Sequence, residues 1–374
     1  MKSALCLAAS LLSLPLAAWS GIVETQAGPM EITQVTRGLD EPWALAFLPD
    51  GAYLVTERAG RLLLAQGDEL RPVQGGPVVF ATGQGGLLDV MLPADFATSR
   101  EVWLSFAAPV GEGAATAVGV GRLSEDGARL EGFRTVFTGD ASPGGRHFGS
   151  RLVQMPDGTI AVTTGDRGTG PEGMQAQDPL SSLGKVILLN RDGSPAILQE
   201  GWLAGALSRG HRNMQGAGLD LSGRLLTVEH GAQGGDELNA PEAGRNYGWP
   251  VITYGIDYSG APIGEGQAKD GMEQPLHYWD PSIAPSGLMV YSGKLVPEWA
   301  GDVFFGSLNS DFLGRLDPDT PAPTGYAEER ISAPETGRVR DVVEAPDGSI
   351  WFLSVTDGAV YRLAPESDIS GSVP

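Results

Sequence analysis

A strand–turn–strand unit built on Pro-Asp-Gly recurs along this chain and constrains its fold more than any other feature. Leu48-Pro49-Asp50-Gly51 separates the apolar runs 44–48 and 52–55. Met155-Pro156-Asp157-Gly158 does the same for 152–155 and 159–162, and Ala345-Pro346-Asp347-Gly348 for 342–345 and 349–353. Proline fixes φ for such a turn, and glycine accepts the positive φ that follows. Weaker copies fill the gaps: 87–93 before 102–106, 218–223 before 224–228, and 288–291 before 302–305. Third strands are visible at 60–64 and 359–363. Six units spaced by about 45–75 residues, rich in short strands and poor in helical period, predict an all-β fold, a six-bladed β-propeller. Closing the ring removes exposed sheet edges. A pair of β-sandwiches is the alternative, and it gives no reason for six similar turns.

Composition supports a folded, exported protein. Glycine and proline, 54 and 27 of 374 residues, run at nearly twice their usual share, while 41% apolar content is too high for a disordered chain. A net charge of −21 argues against nonspecific binding to nucleic acid or anionic membrane. Lys2 precedes an apolar run over 4–18, and Ala18-Trp19-Ser20 supplies small residues at a cleavage spacing. Residues 1–20 therefore read as a signal peptide, with a buried first helix as the alternative. Cleavage implies a periplasmic or secreted protein. The single cysteine, Cys6, lies inside that segment, so residues 21–374 have neither disulfide nor thiolate chemistry. They show no linker and read as a single propeller domain.

In a propeller, the loop entering each innermost strand opens onto one mouth of the central channel. Counting back seven to nine positions from each turn samples those loops. Nine before Pro93 is Gln84, and nine before Pro156 is His147. Nine before Leu221 is Arg212, with Asn213 beside it. Eight before Pro346 is Arg338, followed by Arg340, and seven before Pro49 is Pro42 beside Trp43. A lone histidine is more often structural than a base, and His211 and His230 read as mainly structural. One of Arg338 and Arg340 could be a solvated surface charge. Three arginines meeting at one mouth of so acidic a chain nevertheless imply a polyanionic ligand.

A second cluster spans 229–239, Glu-His-Gly-Ala-Gln-Gly-Gly-Asp-Glu-Leu-Asn. Flexible glycine backbone beside carboxylates suits a hard, oxygen-binding cation such as Ca²⁺. The spacing is not that of an EF-hand loop, and an acidic turn explains the segment equally well.

Taken in order, Glu41-Pro42-Trp43, Gln84-Gly85-Gly86-Leu87, Arg146-His147-Phe148-Gly149-Ser150-Arg151-Leu152, Gly165-Asp166, Gly210-His211-Arg212-Asn213-Met214-Gln215-Gly216, Glu229-His230-Gly231, Asp236-Glu237, Asn246-Tyr247-Gly248-Trp249-Pro250, 282–287 and Gly337-Arg338-Val339-Arg340-Asp341 carry a resemblance. The chain resembles the pyrroloquinoline quinone (PQQ)-dependent glucose/sorbosone dehydrogenases over about residues 34–364, most closely the soluble aldose sugar dehydrogenases. The resemblance implies a six-bladed propeller holding PQQ over the channel, with His147 as general base and Asp166 orienting it. It implies that Gln84, Arg212, Asn213, Tyr258, Asn309, Arg338 and Arg340 contact the cofactor. It also implies Ca²⁺ at the carbonyls of Gly231 and Ala232, where the family often has proline at the second position, and Ca²⁺-associated roles for Glu237 and Tyr247. Asn309 is a departure, because the family usually has lysine there.

The implied reaction oxidises an aldose at C1 to its lactone. His147 takes the hydroxyl proton as hydride moves to the quinone, while Arg212 and Ca²⁺ stabilise the developing oxyanion. No haem-attachment cysteine pair exists, so electrons must leave to an external acceptor. A Ca²⁺-dependent propeller lactonase and a non-catalytic exported binding propeller are the alternatives.

Overall fold

The computed structural model describes residues 20–168 and 171–366. The expected signal peptide, apart from Ser20, lies outside the described residues. Six antiparallel sheets form the molecule, five of them runs of consecutive strands. Their innermost strands are Pro42–Phe47, Leu87–Met91, Gly149–Gln154, Met214–Leu219, Pro285–Val290 and Val339–Glu344, which begin blades 1 to 6. Each innermost strand contacts the next, and that of blade 6 contacts that of blade 1, so the ring is closed. The expected six-bladed β-propeller is the observed fold. Among the described residues, helix is limited to the single turn Phe96–Ser99 and three short 3₁₀ pieces, and no helix is long and apolar enough to cross a membrane.

The Pro-Asp-Gly segments make the turns their chemistry requires. Gly51, Gly158 and Gly348 have φ of +85°, +87° and +92° and close back onto Leu48, Met155 and Ala345. The aspartate of each turn accepts a backbone N–H two residues on, at 3.2, 3.0 and 2.9 Å. The core lies between blades rather than in the channel. Leu353 and Val360 of blade 6 pack with Leu45, Tyr53 and Val55 of blade 1, and Phe47 meets Trp351 edge-on at 4.8 Å.

Blade 6 holds what the repeat pattern did not show. Its sheet has five strands, and the outer two, Gly28–Thr36 and Ser20–Thr25, come from the N-terminal part of the chain. Ile32 pairs with Leu363 and Met30 with Pro365, while Met30 and Ile32 enter the core of blades 5 and 6. Two ends of the chain thus clasp the ring within one sheet. The signal available was the alternation of Met30, Ile32 and Gln34, which follows no Pro-Asp-Gly turn.

Every innermost strand also carries a register irregularity against its neighbour, near the end where the chain enters the blade. Such bulges bend a strand and re-aim its side chains. Just ahead of four of these strands stand non-glycine residues with φ near +50°, Glu41, His147, Ala284 and Arg338. Left-handed backbone at such residues is uncommon and clusters at functional sites. All four line one cavity.

Candidate active site

That cavity, about 720 Å³, occupies the mouth onto which the entry loops open, a size usual for a small-molecule site. Pro42, Trp43, Gln84, His147, Arg212, Asn213, Arg338 and Arg340 all line it, so counting back from the turns found residues that do converge. Gly231, Ala232, Tyr258 and Asn309 line it too. Neither Arg338 nor Arg340 is merely a surface charge. His230, expected to be mainly structural, also faces the cavity. His211 does not: it is fully buried between Ser208 and Glu229 and stacks on Tyr247.

One wall is a bonded set of buried groups. His147 Nδ1 lies 2.6 Å from Asp166 Oδ1, and its backbone N–H donates to Gln84 Oε1 at 2.7 Å. Asp166, 1% exposed, receives the Trp249 indole N–H on Oδ2 at 2.8 Å and the Gly168 N–H on Oδ1 at 2.9 Å. Burial alone would raise the Asp166 carboxyl, yet bonding to His147 and the charge of Arg212 hold it below its ordinary value. The carboxylate therefore accepts Nδ1–H, which leaves His147 Nε2 as the free lone pair. Burial, opposed by Asp166 and aided by Arg212, lowers the His147 pKa and keeps it a neutral base.

Arg212 is fixed by its own backbone and partly free at its head. Its N–H donates to Glu229 Oε2 at 2.6 Å, Nη1 reaches the His230 carbonyl at 3.2 Å, and the guanidinium lies 5.1 Å from the Trp249 ring centroid. Its buried Nε has no hydrogen-bond partner among the described residues, an orphan donor that an incoming oxygen would satisfy. Arg340 is pushed down to about 9 by burial together with Arg151 and Arg338. An anion in the cavity would relieve that cost. Burial and the charges of Arg340 and Arg212 push His230 down to about 3, so it too is neutral.

The opposite wall is looser. Tyr258 is 72% exposed, and Asn309 is held by one 3.3 Å bond from Nδ2 to the Ser282 carbonyl. Arg338 Nη1 donates to the Leu308 carbonyl at 2.9 Å. Between the walls, a Cβ on Gly231 would come within 2.4 Å of the Gly234 and Gly235 carbonyl oxygens. Asp236 gathers the N–H groups of Gly231, Ile283 and Ala284 and ties this loop to blade 5. Such a glycine-made, carbonyl-rich cradle fits a hard cation. Among the described residues no cluster of three or more His, Cys, Asp or Glu side chains could hold a metal, so a cation here would depend on backbone oxygens.

Glu237 and Tyr247 do not reach the main cavity. They line a small separate hollow that shares Arg212, His230 and Gly231 with it. Burial and neighbouring Glu229 push the Glu237 carboxyl upward, and the Tyr247 hydroxyl already donates to the Ala240 carbonyl. Sequence reasoning missed Trp249 as the partner of Asp166 and Arg58 as a further lining cation, the latter bonded to Glu41 and the Gly83 carbonyl.

A closed propeller with a buried His–Asp pair beside an arginine-lined cavity defines a small-molecule enzyme rather than a scaffold. The family model described as glucose/sorbosone dehydrogenase matches residues 39–362. The aldose sugar dehydrogenase YliI of Escherichia coli K12 is 38% identical over 96% of this chain and 99% of its own length. The apo-form structure of the soluble aldose sugar dehydrogenase of Escherichia coli superposes with a TM-score of 0.82 at 38% identity, covering 90% of this chain and 100% of that one. The PQQ-bound aldose sugar dehydrogenase of Streptomyces coelicolor gives 0.74 at 27% identity, over 93% and 98%. The chain belongs to the glucose/sorbosone dehydrogenase family and is an oxidoreductase of the sugar dehydrogenase class.

Proposed function

We propose that this protein is a PQQ-dependent aldose sugar dehydrogenase that oxidises the sugar at C1 to its lactone outside the cytoplasm, with Ca²⁺ beside the cofactor. The observation that carries the reading is a neutral His147, bonded to the Asp166 carboxylate, facing the same cavity as Arg212, Arg338 and Arg340. PQQ carries three carboxylates, which match the arginines and the orphan Arg212 Nε. The carbonyls of Gly231 and Ala232 are the donors for Ca²⁺, and Gln84, Asn213, Tyr258 and Asn309 complete the cofactor wall.

When bound, PQQ supplies an ortho-quinone that accepts the hydride from C1, with Ca²⁺ polarising it. His147 Nε2 accepts the proton of the C1 hydroxyl as C1–H leaves with its electron pair, so C1 becomes the lactone carbonyl. Asp166 holds the imidazole in the required tautomer and stabilises the charge it gains, and Trp249 holds Asp166. Arg212, whose buried Nε is unpartnered among the described residues, would stabilise the negative charge that develops in the reaction. Two electrons then pass to an acceptor outside the chain.

Adding PQQ and Ca²⁺ to purified apoprotein and following reduction of an artificial electron-accepting dye with aldoses tests the reading. Dye reduction that needs both additions is the expected result. Lactone hydrolysis that needs only Ca²⁺, or PQQ binding without turnover, would overturn it.

A further inference from the structure

Beneath the cavity one buried side chain of blade 3 is held by blades 1, 2, 4 and 6. Arg151, 4% exposed, sits in the bulge of blade 3's innermost strand. Its Nε donates to the Gln215 carbonyl of blade 4 at 2.7 Å. Nη1 reaches Asp89 of blade 2 at 3.2 Å and Asp341 of blade 6 at 2.8 Å, and Nη2 reaches the Arg340 carbonyl at 3.0 Å. Its guanidinium lies 4.2 Å from the Trp43 ring centroid of blade 1. Ser286 of blade 5 donates to the same Arg340 carbonyl at 2.7 Å. The other oxygens of the two aspartates accept the N–H of Leu152 and of Leu45, at 2.7 and 3.1 Å.

The partners are not scattered along the strands. Trp43, Asp89, Arg151, Gln215 and Arg340 are all residues at the register breaks of their innermost strands. In these five blades the bulge thus turns a side chain into the channel, where an unbulged strand would face a neighbouring blade. Three of these residues, Trp43, Gln215 and Arg340, also line the cavity, and Arg340 Nη1 donates to Gln215 Oε1 at 2.9 Å. Arg151 and Arg340 against Asp89 and Asp341 make a neutral four-charge set, and burial raises both carboxyls against the pull of Arg151.

We infer that Arg151 is a positioning residue for the anion site: it clamps the backbone carbonyls of Gln215 and Arg340 and so presets the Arg340 guanidinium on the cavity floor. Its fork is suited to this because one planar group meets two carbonyls and two carboxylates together. A lysine keeps the charge but cannot span four acceptors on three blades. The inference rests on the PQQ reading above, since the preset cation must have an anion to receive.

The test measures the PQQ Kd of apoprotein with Ca²⁺ by quenching of tryptophan fluorescence, the melting temperature without PQQ, and the aldose KM at saturating PQQ. It compares wild type, Arg151→Lys and Ser286→Ala, at a temperature where all are folded. Arg151→Lys is expected to weaken PQQ binding about tenfold, with Ser286→Ala a few-fold in the same direction and the aldose KM unchanged in both. A merely structural Arg151 would lower the melting temperature and leave the Kd alone, and that result overturns the inference. Should Arg151→Lys fail to fold, a wild-type Kd in folded Ser286→Ala overturns it equally. Wild-type protein that binds no PQQ overturns the cofactor reading instead, and the positioning role falls with it.

Discussion

The two walls of the cavity are built differently. On one side His147, Asp166, Arg212 and Asn213 are each at most 9% exposed and bond to one another, to Glu229 or to backbone of the neighbouring blade. On the other side Tyr258 is 72% exposed, and Asn309 has a single long side-chain bond. The difference follows from location. The buried wall stands on strand ends next to the channel, where unsatisfied polar groups are costly, whereas the open wall is made of loops that water can solvate. Proton transfer needs fixed distances and a tuned pKa, which only the first wall provides. The second can vary without unfolding the ring.

The largest effect should come from breaking the rigid wall at its reactive atom. His147→Gln is expected to keep the fold and PQQ binding while lowering turnover by roughly 10²–10⁴-fold, measured as dye reduction at saturating sugar. The wild-type pH profile gives a companion test. Because the folded-state pKa of His147 lies below its ordinary 6.5, the base stays neutral as pH falls through 6.5. Turnover should decline only as pH drops through the lower folded value, and an acid limb centred above 6.5 would contradict this. Chelation comes next. Removing Ca²⁺ should release PQQ or abolish activity, with Ca²⁺ restoring it better than Mg²⁺, because an open carbonyl site suits the larger ion. Full activity with no metal by elemental analysis removes the cation from the mechanism.

Smaller changes separate holding from reacting. Trp249→Phe keeps a ring beside Arg212 but deletes the N–H that Asp166 Oδ2 accepts. Loss of a bond to a charged group should cost about ten- to a hundredfold in kcat with little change in sugar KM. An equal rise in KM would place Trp249 in substrate binding instead. The open wall should respond more gently. Asn309 does line the cavity, so Asn309→Lys is expected to tighten PQQ binding by roughly tenfold, because a charge-assisted bond replaces a neutral one. Unchanged binding in a PQQ titration would mean the loop, not residue 309, sets that wall.

Much of this was legible in the sequence because propeller repeats are local. Pro-Asp-Gly turns mark three of the hairpins and weaker copies the rest, and an offset of about seven to nine residues from turn to blade entry led to Gln84, His147, Arg212, Asn213, Arg338 and Arg340. Tyr258 and Asn309 came from resemblance alone, since no repeat marks them, while Gly231 and Ala232 lay in the glycine-rich acidic segment 229–239 that already suggested a cation. What stayed hidden involves distance along the chain. Trp249 meets Asp166 across 83 residues, Arg151 meets Asp341 across 190, and the strand at 28–36 completes a blade begun at residue 339. Bulges were invisible too, because each lies at the entry end of its strand and leaves the alternation beyond it intact.

Single-turnover reaction of the PQQ- and Ca²⁺-loaded protein with an aldose carrying deuterium at C1 tests the central claim most directly. Followed anaerobically by quinone absorbance, reduction should be several-fold slower than with the protonated sugar, since C1–H breaks as His147 takes the hydroxyl proton. Quinone absorbance that stays unchanged on adding sugar would contradict quinone-dependent oxidation of the aldose, whatever ligand the arginines hold.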